Sequence, residues 1–297
     1  MPVEMLANNV GVILGGVNIG VVLGEHGSVA MIDTGLNETN AKKALKAIAS
    51  DIGRPVSRIL NTHAHADHFG GNATVVKRTG AQVWAPPLDE AIIRNPILQP
   101  SLLFAGADPP PELRISFLLA DPSPVDHVIE ANQLEFEGVP IEVVPLPGHS
   151  PRQVGFLVEG VFFCADVVLP SSVLEKYRIP YLYSVGDHIR SLERAVAIDC
   201  SVAISGHGPQ LASVEPVVAH NAALVQQVLE VVVKFCVEPR STEEIFQHVL
   251  ESFDAPVMDA SGFYLLHPTI HAFLSELVTL GEIVGEVVDR RMLWRRS

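Results

Sequence analysis

The sequence predicts an α/β protein that ends in a small helical, winged-helix-like module, and three observations predict it. Short apolar runs alternate with amphipathic helical stretches as far as about residue 210. Four of those runs stop at a histidine or an aspartate. Beyond residue 214 the pattern becomes helix, helix, helix and hairpin. Residues 1–214 are therefore expected to form a catalytic domain and residues 215–297 a winged-helix-like C-terminal domain.

Two strands are expected at Val10–Leu14 and Ile19–Leu23, on either side of Gly15-Gly16, and a third at Val29–Ile32, running into Asp33-Thr34-Gly35. Residues 39–50 follow a helical period, with Ala44, Leu45, Ile48 and Ala49 on one side and Thr39 or Asn40 as cap. The strand at Ile59-Leu60 leads to a histidine cluster, a Gly70-Gly71 turn, a helix over Asn72–Arg78 and a strand at Ala81–Trp84. Residues 86–125 contain repeated prolines, which exclude one long helix or strand and suit a wall or lid over a site. Strands resume at Val128-Ile129, Glu135-Phe136, Ile141–Leu146, Val154–Val158 and Val161–Cys164. Gly186–Ile198 is helical and Val202–Ile204 is the last strand of this part. In the tail, helices are expected over His220–Cys236, from the capping box Ser241-Thr-Glu-Glu244 to Phe253, and over His267–Leu280. A hairpin of Glu282–Val288 and Arg290–Arg296 follows.

Composition narrows the function. The 297 residues are 48% apolar with mean hydropathy +0.30, as in a well-packed globular chain. A formal net charge of -14 argues against a broad nucleic-acid footprint, which shows as basic surface, and bound divalent cations would cancel part of it. Met1-Pro2-Val3-Glu4 lacks a basic leader, and no uninterrupted apolar stretch of membrane-spanning length occurs, so neither signal peptide nor membrane partner is expected. Cys164, Cys200 and Cys236 are odd in number and widely spaced, which fits reduced thiols in the cytoplasm. Cys164 is read as an apolar filler. A homodimer through the C-terminal helices is an open expectation.

The chemistry sits at the strand ends. His63-Ala-His65-Ala-Asp67-His68 packs four donors into six positions behind the apolar run Arg58-Ile-Leu-Asn-Thr62. Such groups are costly to bury unless a cation satisfies them, and imidazole and carboxylate both suit zinc or iron. Pro147-Gly148-His149-Ser150, Val161-Phe-Phe-Cys-Ala-Asp166 and Ser205-Gly206-His207-Gly208-Pro209 repeat the theme. His26, His127, His188, His220, His248, His267 and His271 lack that setting, although His188 lies close in sequence to Tyr181 and Tyr183, where it could approach a substrate.

Taken together, HAHADH, GHS, AD and SGHGP resemble the metallo-beta-lactamase superfamily over roughly residues 8–210, with Asp33-Thr34-Gly35 as its early supporting turn. The resemblance implies a four-layer alpha-beta/beta-alpha sandwich with the site at one edge of two facing sheets. It implies two divalent metal ions, zinc first and iron or manganese next. One would be held by His63, His65 and His149, the other by Asp67, His68 and His207, with Asp166 shared. A bridging hydroxide would attack the substrate, with Asp67 or Asp166 orienting it and passing on a proton. Asp33 is expected to stand behind a ligand histidine.

A complete ligand set favours a dinuclear hydrolase over the superfamily's persulfide oxidisers, and Asp166 argues against a classical antibiotic hydrolase. Leu169 stands where acyl-homoserine lactonases carry a tyrosine. Thr62-His63-Ala-His65-Ala-Asp67-His68 is similar to the glyoxalase-II-like thioesterases. The tail resembles the lactamase-like protein 2 branch, which includes endoribonucleases acting on single-stranded RNA. The expected substrate is a small thioester or other acyl ester. The alternatives are an endoribonuclease or phosphodiesterase, a lactonase, or a non-catalytic binding protein.

Overall fold

The computed structural model describes residues 2–257 and 259–297. Its first sheet orders seven strands β1-β2-β3-β4-β5-β6-β7: β1 (Glu4–Met5), β2 (Val10–Ile13), β3 (Ile19–Leu23), β4 (Val29–Ile32), β5 (Val56–Leu60), β6 (Gln82–Ala85) and β7 (His127–Val128). Pairing is antiparallel from β1 to β4 and parallel from β4 to β7. The second sheet runs β12-β11-β10-β9-β8, from β8 (Gln133–Phe136), β9 (Val139–Pro145), β10 (Val154–Val158), β11 (Val161–Ala165) and β12 (Val202–Ser205).

These strands read as near-continuous apolar runs because both faces are buried. Successive residues of one strand serve opposite layers. On β3, Val21 faces α1 (Glu38–Asp51) and α3 (Asn72–Thr79), while Val22 faces the other sheet. On β11, Val161 and Phe163 point between the sheets, and Phe162 and Cys164 point outward to α7 (Val185–Val196). The result is the expected alpha-beta/beta-alpha sandwich.

The parallel strands β4 and β5 end at the same edge as β9, β11 and the turn after β12. Short elements begin there: α2 (Ala66–Phe69) carries Asp67 and His68, and α6 (Ser171–Tyr177) follows Asp166. Residues 86–125 supply α4 (Asp89–Arg94), α5 (Leu98–Leu103) and a 3-10 turn at Pro111–Leu113. Pro100 is accommodated because it sits in the first turn of α5, where an N–H has no helical partner. Helix α1 is capped by Asn37, whose Oδ1 accepts from Thr39 N and Asn40 N, so the cap lies two residues ahead of the expected Thr39.

The C-terminal part comprises α8 (Glu215–Phe235), β13 (Arg240–Ser241), α9 (Thr242–Phe253), α10 (Ala260–Thr279), β14 (Ile283–Val288) and β15 (Arg291–Arg296), with sheet order β13-β15-β14. The capping box at Ser241 and Glu244 is present. By length and composition α8 could cross a membrane, yet Val225, Val228, Leu229 and Val232 are buried in the protein. Helix α10 starts seven residues before the expected His267 because it continues through Pro268. A mid-helix proline costs about 3 kcal/mol, and burial of Leu266, Ile270, Phe273, Leu274 and Leu277 offsets it. The core of these helices also takes in Ile179, Leu182 and Val185 from the sandwich side.

Candidate metal centre

Five histidines and two aspartates named from the sequence meet at this edge. Their donor atoms form three groups, each within 4.8 Å: His63, His65 and His149; Asp67, His68 and His207; and His63, His68 and Asp166. Asp166 sits among the rings, with Oδ1 3.5 Å from His68 Nε2 and Oδ2 3.4 Å from His149 Nε2 and 3.3 Å from His207 Nε2. His207 Nε2 is 3.5 Å from Asp67 Oδ2.

Four rings are oriented by a hydrogen bond on the far nitrogen. His68 Nδ1 donates to Asp33 Oδ2 at 2.8 Å, His149 Nδ1 to the Tyr181 carbonyl at 3.0 Å and His207 Nδ1 to the Gly16 carbonyl at 2.6 Å. Thr62 Oγ1 spends its proton on Asp33 Oδ2 and so accepts from His63 Nδ1. Each anchor turns Nε2 towards the cluster, the orientation a metal ligand needs. His65 differs, presenting Nδ1 to His63 Nε2 at 3.1 Å. His68 Nε2, His149 Nε2 and Asp166 Oδ1 are buried with no hydrogen-bond partner, a costly state that shared cations would relieve. The donor set and the orphaned atoms fit divalent ions.

Further buried groups, not singled out from the sequence, fix the loops that carry these donors. Asp89 accepts from Ala64 N at 2.9 Å and from Arg152 N at 3.1 Å, tying the His63–His65 loop to the one after His149. Asn18 Nδ2 donates to the carbonyls of Ser205 and Gly208 on either side of His207. Asn221 of α8 holds both backbone groups of Leu169, just past Asp166. Two glycines are required by closeness. A Cβ on Gly206 would stand 1.9 Å from Asp166 Oδ1, and one on Gly148, at φ 129°, would meet the backbone of His188 at 2.4 Å.

His188 is buried beneath this turn and does not line the site cavity, contrary to the expectation that it could reach a substrate. Tyr181 takes that place, edge-on to His65 at 5.3 Å between ring centroids. No spacing signal marked it. His127 lies on Trp84 and His248 stacks on Phe235, away from the cluster. Cys164 donates to the Ile204 carbonyl, and burial pushes its thiol far up, as expected of a filler.

Electrostatics divide the rings. Burial pushes His65 down to about 4 and His149 down to about 3, and holds His63 well below the ordinary histidine value. The Asp166 carboxylate raises His207 to about 9 against burial. Burial also opposes charge on His68, but Asp166, Asp33 and Asp67 together outweigh it and hold that ring well above its ordinary value. Asp166 stays well below the carboxylate range because His207 and His68 overcome its burial. Raised in this way, His68 and His207 would compete for protons at the positions where cations would bind, so metal binding would be expected to release protons.

Stability of the metal-free form follows. Between pH 6.5 and about 3 the unfolded chain binds protons that folded His65 and His149 refuse, so stability falls as pH drops through that window. His207 acts oppositely: its contribution is complete below pH 6.5 and is lost as pH rises towards 9. The melting midpoint of chelator-treated protein is expected to peak near neutrality and to fall by about 5 °C or more between pH 6.5 and 5. A midpoint flat across pH 5–8 would contradict these assignments.

The donors open onto one cavity of about 560 Å³. Its walls include Val17, Leu36, Phe117, Leu118, Leu169, Leu174 and Ile179, so the proline-rich segment contributes a wall. Among the described lining residues Lys176 is the one cation besides histidine.

A family model described as "Metallo-beta-lactamase superfamily" matches residues 12–207. Among curated proteins, the chain is 25% identical over 208 residues to the Lactamase-like protein adaB of Aspergillus niger, covering 67% of this chain and 53% of that protein. It thus spans about half the length of that relative. It is 22% identical over 284 residues to an Atrochrysone carboxyl ACP thioesterase of Passalora fulva (92% and 74% covered). It is 30% identical over 120 residues to a Hydroxyacylglutathione hydrolase of Shewanella pealeana (39% and 34% covered). Among solved structures, a Beta-lactamase domain protein from Burkholderia ambifaria superposes with TM-score 0.77 at 20% identity, covering 100% of this chain and 97% of that one. A metallo-beta-lactamase family protein from Thermus thermophilus gives 0.74 at 22%, with the same coverage. At such identities the likeness is one of fold, C-terminal part included.

Proposed function

The chain belongs to the metallo-beta-lactamase superfamily, and from that premise we propose that it is a dinuclear metal-dependent hydrolase of thioesters or related acyl esters. The observation that carries this reading is the apolar cavity of about 560 Å³ joined to the cluster of His and Asp donors. His63, His65 and His149 would hold one ion and Asp67, His68 and His207 the other, with Asp166 shared and zinc the first candidate. Ions bound there supply water activation at neutral pH and polarise an acyl oxygen. Asp67, 16% exposed at the cavity, or Asp166 beside it would orient the attacking water and take its proton. In the balanced reaction, water oxygen bonds to the acyl carbon, the C–S bond breaks, and the departing thiolate takes up a proton. Two of the relatives, a thioesterase and a hydroxyacylglutathione hydrolase, support the choice of substrate class.

A phosphodiester substrate is the second reading, favoured by the winged-helix-like tail and its exposed Arg290-Arg291 and Arg295-Arg296 pairs. Arg295 is paired with Glu286, and no arginine lines the cavity among the described residues. The deciding experiment compares zinc-replete and chelator-treated protein on an acyl thioester, on bis(p-nitrophenyl) phosphate and on single-stranded RNA. Thioester turnover that chelation removes and zinc restores is the expected result. Metal-dependent RNA cleavage without thioester turnover would replace it with the second reading.

A further inference from the structure

We infer that the cavity is an acyl-chain pocket bounded by helix α10 of the C-terminal part, and that the substrate carries a medium- to long-chain apolar acyl group. This rests on the hydrolase reading above and deepens it. The same cavity that holds His65, Asp166 and His207 reaches Gly262, Leu265 and Leu266 on α10. An acetyl or other small acyl group would fill little of about 560 Å³, a volume in the range that encloses drug-sized ligands.

The polarity of the walls decides which half of a thioester lies there. A hydrophilic thiol bearing carboxylates or phosphates calls for several cations, and Lys176 is exposed, with Nζ 3.0 Å from the Tyr177 hydroxyl. Apolar walls instead favour methylenes, which gain by leaving water.

The wall on α10 is held from two sides. Leu265 packs against Leu103, Leu113 and Leu118 of the proline-rich segment. One turn on, Thr269 Oγ1 accepts from Leu182 N at 3.2 Å, beside Tyr181. A wall fixed in this way sets a definite limit to chain length. Gly262 leaves that wall low: a Cβ there would meet nothing closer than Asp259 Oδ1 at 3.6 Å, so a larger residue fits the backbone.

The test measures kcat/KM of zinc-replete protein on N-acetylcysteamine thioesters from acetyl to dodecanoyl, in wild type, Leu265→Trp and Gly262→Leu. Calorimetric titration of decanoate into metal-free protein gives a readout independent of turnover. The expected wild-type result is a rise of about two- to fourfold per methylene until the pocket is full. In a folded variant the decanoyl-to-acetyl ratio is expected to fall at least about tenfold, with weaker decanoate binding. Thioester turnover that is flat or falls with chain length overturns the acyl pocket and leaves the hydrolase reading intact. A rising profile unchanged in both variants overturns the role of α10. Turnover of no thioester at all removes the hydrolase reading, and this inference with it.

Discussion

Asp166→Ala is expected to reduce metal-dependent hydrolysis by on the order of a thousandfold, about 4 kcal/mol of barrier. Its carboxylate lies within 3.5 Å of His68, His149 and His207 and is the anion that both proposed ions would share. Removing it takes one ligand from each ion and leaves their charges facing one another across a dry space. Metal content should drop from about two equivalents towards one, measured by elemental analysis after dialysis. Asp166→Asn preserves shape without charge and should behave similarly, which separates charge from packing. Full activity with two bound equivalents in either variant would show that Asp166 is not a shared ligand.

Asp33→Ala is expected to weaken metal binding about ten- to a hundredfold and to destabilise the fold by about 2–4 kcal/mol, although Asp33 touches no metal position. Its two oxygens accept from Thr62 N at 2.9 Å, Thr62 Oγ1 at 2.7 Å and His68 Nδ1 at 2.8 Å, all in the dry interior. Alanine would orphan those donors and free the His68 ring to rotate. Alanine also suffers at φ 61°, a left-handed conformation that Asp and Asn tolerate best. Asp33→Asn therefore separates the two effects. It keeps the backbone preference while turning an acceptor into a donor, so stability should recover in part and metal affinity much less. Titration of metal-free protein with cobalt(II), followed in the visible, reads the affinity; equal affinities in all three proteins would remove the role assigned to Asp33.

The proposed ligands were legible because a sandwich delivers them from strand ends. The apolar runs of β5, β9, β11 and β12 each stop at or near a polar residue, and that interruption is a local signal. The groups that hold the ligands are not local. Asp89 reaches Arg152 across 63 positions, Asn18 reaches Ser205 across 187, and Asn221 reaches Leu169 across 52. In the sequence each is an ordinary polar residue of a turn or helix. Alternation read the layers correctly, since a strand buried on both faces must be apolar throughout. The start of α10 was not legible: tertiary burial carries the helix through Pro268, from Ala260 and not from the expected His267. Proline was informative over residues 86–125, where short pieces with turns replace any long element.

The contact between α10 and the segment 179–185 carries a thermodynamic consequence. Tyr181 hands its carbonyl to His149, its neighbour Leu182 is tied to Thr269, and Ile179, Leu182 and Val185 lie in the core of the C-terminal helices. Opening the tail would therefore release the ring of a proposed ligand along with its own apolar surface. The C-terminal helices and the sandwich edge are therefore expected to gain and lose amide protection together in hydrogen exchange, and not as independent foldons.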